Sequence, residues 1–92
     1  MIELDGDRLR VTGSMTIESA AALMAAGEVA VHSGGASLID LSAVEDADSS
    51  ALAVLFGWLR AAEGRSLTVV QAPASLRSLA ILYGVAELLP LA

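Results

Sequence analysis

Polar and apolar residues alternate at the start of the chain. Ile2-Glu3-Leu4 and Leu9-Arg10-Val11 flank Asp5-Gly6-Asp7, the period-two pattern of two short strands joined by a tight turn. The period then lengthens. Ile17, Ala20, Leu23, Met24 and Val31 approximate one face of a helix that Thr16 would cap and that ends near His32-Ser33-Gly34-Gly35, with Gly27 weakening its middle. After these glycines, Ser37-Leu38-Ile39-Asp40-Leu41 reads as a buried strand with Asp40 near its carboxyl end. A second helix follows, with Asp48 or Ser49 suited as N-cap, Leu52, Leu55, Phe56, Leu59 and Glu63 on one face, and an end near Gly64. Leu67-Thr68-Val69-Val70-Gln71 is the pattern of another strand. Pro73 opens a third helix over residues 74–83, with Leu76, Leu79, Ala80 and Tyr83 facing inward, Gly84 as C-cap and an apolar tail from Val85 to Leu91.

The order is β-β-α-β-α-β-α. Strands that alternate with helices require right-handed crossovers, so the later strands pair in parallel, and the first hairpin adds an antiparallel element. The expected fold is an α/β domain with a mixed sheet of four to five strands and helices mainly on one face. At 92 residues the chain has material for one core, and a single domain over 1–92 is expected.

Composition narrows the function. Hydrophobic residues make up 55% of the chain, and there is no cysteine, which excludes disulfides, zinc–thiolate sites and thiol nucleophiles. The charged stretch Met1 to Arg10 has no signal-peptide core, and the longest uncharged apolar run, Ser50 to Leu59, is far below the ~20 residues of a spanning helix. A cytoplasmic protein with no direct membrane insertion is expected. The net charge is −6, and the five arginines at 8, 10, 60, 65 and 77 are scattered, so nucleic acid is not an expected partner. The mean hydropathy of +0.69 is high for a small domain and suggests that another protein covers part of the surface.

The segment richest in candidate chemistry is Asp46-Ala47-Asp48-Ser49-Ser50-Ala51-Leu52, between a strand end and a helix start. Helix N-termini present unpaired N–H groups, so a serine there can cap the helix or hold a phosphate. Placed at 100° per residue, Ser50, Ala53, Val54, Gly57, Trp58 and Ala61 fall opposite or beside the core stripe, with Arg60 as the one charge among them. That face reads as a docking surface anchored by Trp58. The acids Asp40, Glu45, Asp46 and Asp48 invite comparison with a phospho-acceptor or metal site, but they are more often solvated turn and cap residues. His32 has no second histidine to share a metal. No nucleotide loop and no nucleophile elbow occurs, so no catalytic residue, metal or cofactor is expected.

Leu38-Ile39-Asp40-Leu41-Ser42, Val44, Asp48-Ser49-Ser50-Ala51-Leu52 and Leu55 together resemble the signature of STAS domains, in which a strand ending in Asp-Leu-Ser leads into Asp-Ser/Thr-Ser/Gly-Gly-Leu at a helix start. Two branches are similar: anti-sigma factor antagonists of the SpoIIAA type, and MlaB-type subunits of the bacterial phospholipid-transport ABC complex that maintains outer-membrane lipid asymmetry. The ending Ser78-Leu79-Ala80-Ile81-Leu82-Tyr83, with Val85 and Leu89-Pro90, is closer to the MlaB branch. This resemblance implies a non-catalytic protein that docks on a cytoplasmic, MlaF-like ATPase subunit and so lies peripherally at the inner membrane. The alternative it implies is a switch that binds an anti-sigma factor kinase. Ser50 occupies the position phosphorylated in the antagonists, and Ser49 the hydroxyl position that helps dock the ATPase in MlaB-like proteins; both are candidate phosphorylation sites. Ala51 stands where glycine is usual, and Gly13-Ser14-Met15-Thr16 replaces the early Gly-x-Leu-Asp element. By this reading Ser49, Ser50, Ala53, Val54, Gly57 and Trp58 form the partner-binding surface.

Overall fold

A computed structural model describes residues 1–33 and 35–92; of the glycine pair expected to end the first helix, Gly34 lies outside the described residues. The opening alternation forms strands β1 (Ile2–Asp5) and β2 (Arg8–Met15), paired antiparallel with Ile2 opposite Val11 and Asp5 opposite Arg8. Gly6 makes the turn at φ +61°, a conformation that costs glycine nothing. Helix α1 (Ala20–His32) then leads to β3 (Leu38–Ala47), α2 (Ser49–Ala61), β4 (Thr68–Val70) and α3 (Ala74–Leu82), with a 3-10 turn at Ala86–Leu88. The sheet has four strands in the order β1-β2-β3-β4, and β3 runs parallel to both its neighbours. This is the predicted order and mixed pairing. The last residues lie along the β4 edge: the Val69 N–H donates to the Pro90 carbonyl at 2.9 Å, and the Ala92 N–H to the Val69 carbonyl at 2.9 Å.

Strand alternation sorts the sheet into an oily and a charged face. Leu9, Val11, Ile39, Leu41 and Val69 point to the helices and are fully buried. Their neighbours Glu3, Asp5, Arg8, Arg10 and Asp40 point the other way, with Glu3 opposite Arg10 and Arg10 opposite Asp40 across adjacent strands. Asp40 is a buried carboxylate on that second face. It accepts the Ser42 N–H at 2.9 Å and an Arg8 Nη1–H at 2.8 Å, and these bonds, the Ser42 one foremost, hold its carboxyl below the ordinary range against the opposing effect of burial.

Two reciprocal contacts lock α1 to α2. The indole of Trp58 is fully buried against the backbone of Gly27, and its Nε1–H donates to the Leu23 carbonyl at 3.2 Å. One turn away, the Met24 side chain lies over Gly57. Gly27 was expected to weaken α1; its missing Cβ is instead what admits the tryptophan.

Several local expectations are corrected. Ser19, not Thr16, occupies the N-cap position of α1. Its Oγ accepts the Thr16 N–H and donates to the Ser14 carbonyl, which makes residues 16–19 a turn and leaves Ile17 73% exposed instead of on the core face. Strand β3 continues beyond Leu41 to Ala47, because β2 keeps pairing with it past two bulges. Glu63 lies past the end of α2 at φ +52° and is exposed, and Tyr83, at the C-cap of α3, is 57% exposed instead of inward.

The interlock predicts unequal costs for two similar substitutions. Alanine is favoured over glycine within a helix by about 1 kcal/mol, but a Cβ at Gly27 would overlap the rigid indole, whereas one at Gly57 would meet a flexible thioether. Gly27→Ala is expected to lose about 1–3 kcal/mol of unfolding free energy and Gly57→Ala distinctly less. Urea titration of the two variants checks the order.

Candidate docking surface at the start of α2

The site is assembled by one carboxylate. Asp48 follows β3 in an extended conformation and caps α2, its Oδ1 accepting the Ser50 N–H at 2.8 Å. Its Oδ2 accepts the Ile17 N–H at 3.0 Å, from the turn that leads into α1. Its own N–H donates to the Met15 carbonyl at 3.2 Å. The end of β2, the entry to α1 and the start of α2 are thus held together at one residue. The Ile17 N–H first, and the Ser50 N–H after it, hold the Asp48 carboxyl below the ordinary carboxylate range.

Around this clamp the first turn of α2 is accessible. Ser49 and Ala53 are exposed and Ser50 is half-buried. An apolar depression lies on each side. One, of about 450 Å³ between α1 and α2, is lined by Ile17, Ala21, Met24, Ala25, Ser50 and Ala53 among others. The other, of about 260 Å³ between α2 and α3, is lined by Ser49, Leu52, Phe56, Tyr83 and Val85. The two serines therefore border different depressions, Ser50 the α1 side and Ser49 the α3 side.

Of the six residues expected to form the surface, the structure brings Ser49, Ser50 and Ala53 together at the exposed start of α2. Val54, Gly57 and Trp58 are buried, so their placement on an outer face is corrected. The physical reason is that α1 lies across that side of α2, so α2 has apolar neighbours on two flanks; Ser49, Ala53 and Arg60 are exposed, and Ser50, Phe56, Leu59 and Ala61 are half-buried. Trp58 is a core residue there, not an interface anchor. Sequence reasoning missed Ile17, the large aliphatic residue in the turn before α1, and the exposed Ile81, Leu82, Tyr83 and Leu88 beyond α2. The residues flanking Ile17 gave no signal, since Val11, likewise set between two polar residues, is fully buried.

The other candidates do not converge. Glu45 and Asp46 are exposed, and among the described residues no three His, Cys, Asp or Glu side chains form a group that could hold a metal ion. His32 is at the end of α1, with Nδ1 3.6 Å from a Glu63 carboxylate oxygen at the surface. No helix of the described residues is long and apolar enough to cross a membrane.

The four-stranded mixed sheet with helices in this order is also the fold of solved structures described as anti-sigma factor antagonists. A protein of Thermotoga maritima assigned as an anti-sigma factor antagonist superposes with a TM-score of 0.78 at 18% identity, covering 99% of this chain and 83% of its own. Unphosphorylated SpoIIAA superposes with a TM-score of 0.60 at 18% identity over 86% of this chain and 78% of its own. The phosphorylated SpoIIAA of Bacillus gives 0.62 at 16% identity over 100% of this chain and 89% of its own. No curated protein matches the chain. The family model described as "Mlab, STAS domain" matches residues 2–90, and the chain belongs to that family of STAS domains.

Two outcomes follow from this geometry. Ala53→Glu places a charge on an exposed position and should change stability by no more than about 0.5 kcal/mol. Val54→Glu, one residue on, would bury an unpaired carboxylate and should cost on the order of 3–5 kcal/mol, a difference readable as melting temperature. The second concerns acid. Because the folded-state carboxyls of Asp40 and Asp48 titrate below their unfolded values, their stabilisation is complete above about pH 3.9 and is lost as pH falls through the folded-state values. Carboxyl NMR titration should place both midpoints below the ordinary carboxylate range.

Proposed function

We propose that this chain is a non-catalytic subunit of a bacterial Mla-type phospholipid-transport ABC complex, docking on and stabilising the cytoplasmic ATPase subunit. The observation that carries the reading is the match to the MlaB family of STAS domains along nearly the whole chain. The site supports it chemically. Ser49 and Ala53 are exposed on a firmly capped helix start, between two apolar depressions that an ATPase surface can fill. A hydroxyl at Ser49 can exchange hydrogen bonds with a partner while offering little steric resistance, and the partner carries all the catalytic groups. The chain is cytoplasmic in this reading and reaches the inner membrane only through its complex.

A second reading is favoured by Ser50, whose position beside the Asp48 cap borders the α1–α2 depression. In it the chain is an anti-sigma factor antagonist whose unmodified form binds a kinase. A phosphate on Ser50 would gain from the helix N-terminus but would meet the Asp48 carboxylate, so modification would disfavour docking.

Co-expression with an Mla-type ATPase subunit, or with an anti-sigma kinase, followed by affinity purification, separates the two. Transport predicts a stable complex with the ATPase and a purified chain that turns over no ATP by itself. Ser49→Arg should weaken that complex by about thirtyfold or more, because a desolvated unpaired charge at an interface costs on the order of 2–5 kcal/mol, with the melting temperature of the free chain unchanged. Retention of the kinase alone would overturn the reading, and undiminished ATPase binding by folded Ser49→Arg would overturn the contact at the α2 start.

A further inference from the structure

The outer edge of β1 combines open backbone groups with an apolar depression. Met1 and Thr12 exchange both backbone hydrogen bonds, at 2.7 and 2.8 Å, and such bonding alternates along an antiparallel pair. The N–H and C=O groups of Ile2 and Leu4 therefore point away from β2, to a side on which no other described strand lies. The side chains of the same two residues, opposite the buried Val11 and Leu9, lie toward α1. With Ala26, Val29, Ala30 and Ser33 they line a depression of about 450 Å³, in which Leu4 is 47% and Val29 66% exposed. Its α1 wall carries no charge, since Glu28 lies toward α2 beside Gly57 and Arg60.

On the other face of the sheet the charges alternate in sign from strand to strand. Glu3 and Asp5 form the outermost row, on β1, and Arg10 and Arg8 stand opposite them on β2. Asp40 follows on β3, opposite Arg10 and bonded by Arg8. Both arginines thus have a carboxylate on each side, whereas Glu3 and Asp5 have a cation on their inner side alone. The Met1 amine is turned inward to the Thr12 carbonyl. Opposite charges directly across two strands stabilise their pairing and like charges destabilise it. A second copy does not fit, because residues directly opposite share a face, and antiparallel pairing of β1 with itself that engages Leu4 sets acid against acid, Glu3 or Asp5 of one copy facing Glu3 or Asp5 of the other. A segment with lysine or arginine at these positions continues the alternation, and apolar residues between them fill the depression.

We propose that the open edge of β1 is a second docking site, which takes up an extended segment of a partner protein as a fifth strand, apolar at alternate positions and basic between them. Backbone bonds to Ile2 and Leu4 supply affinity, and the depression and the acidic row supply specificity. The site shares no lining residue with the depressions beside Ser49 and Ser50, so it stands or falls apart from the α2-start contact.

The test uses the full chain and labelled peptides of about eight residues, within the length of an ordinary strand. One alternates valine with lysine, one alternates valine with glutamate, and one carries the valines and lysines in two blocks. Fluorescence anisotropy should show the alternating lysine peptide binding at least about tenfold more tightly than either of the others. Peptides N-methylated at every second residue separate a strand from a charge contact, because an added strand turns only one alternate set of N–H groups to the edge. Methylating one set should weaken binding by about tenfold or more, and methylating the other should leave it within about twofold. Glu3→Gln combined with Asp5→Asn should bring the alternating lysine and glutamate peptides to within about threefold of each other. Val29→Gln, at an exposed position of α1, should weaken the lysine peptide by about threefold with the melting temperature unchanged. Equal binding of all three peptides, no binding of the lysine peptide, or equal effects of the two methylation patterns would overturn the proposal. So would a concentration-dependent dimer in sedimentation that excess lysine peptide dissociates, since the occupant of the edge would then be a second copy.

Discussion

The close approach of Trp58 to the backbone of Gly27 sets the geometry on which the rest of the molecule depends. The chain has a single tryptophan, and it is inserted between two helices instead of between a helix and the sheet. A side chain of this size forms a wide rigid wedge, and only the absence of a Cβ at Gly27 lets α1 close over it. The indole N–H, which would be costly to bury unpaired, finds the Leu23 carbonyl on the same stretch of α1. Met24 repeats the arrangement in the opposite direction over Gly57. Together these contacts fix the separation and rotation of α1 on α2, and hence which part of α2 is left uncovered.

What is left uncovered is a helix start held by Asp48 rather than by packing. Hydrophobic contact can position a helix body but does little for its first turn, where the backbone N–H groups still need acceptors. Asp48 supplies one such acceptor to Ser50 and a second to Ile17, so that the surface beside the serines has a defined shape. The apolar rims on both sides are then edges of well-packed helices, which lowers the ordering cost of any partner that binds there.

The fold was legible in the sequence because its elements obey clean periods. The alternation in Ile2 to Val11, the capped stripe through Leu52 and Leu55, and the Pro73 and Gly84 punctuation each identified an element, and their order implied the mixed sheet. The helix start at Asp48 was equally legible, since a strand end, an aspartate and two serines leave few other local structures. The outer face of α2 was not. A helical wheel assumes one buried side, and α2 is buried on two, so the small and aromatic residues taken for an open face are the contact with α1. Small residues carry no sign of whether their close neighbour belongs to the same chain or to another. The exposure of Tyr83 was hidden for a different reason: α3 ends at Leu82, one residue before the stripe would have turned Tyr83 inward.

The run of Pro90 to Ala92 along β4 determines how this sheet can associate with copies of itself. Its hydrogen bonds to Val69 occupy the outer edge of β4, while β1 keeps an unpaired outer edge among the described strands. Endless strand stacking requires two free edges on every unit, one to receive and one to offer. With a single free edge, joining β1 to β1 completes a pair and leaves nothing to extend. Covering one edge in this way disfavours strand-to-strand stacking of the sheet, without requiring the helices to give up their exposed hydrophobic surface.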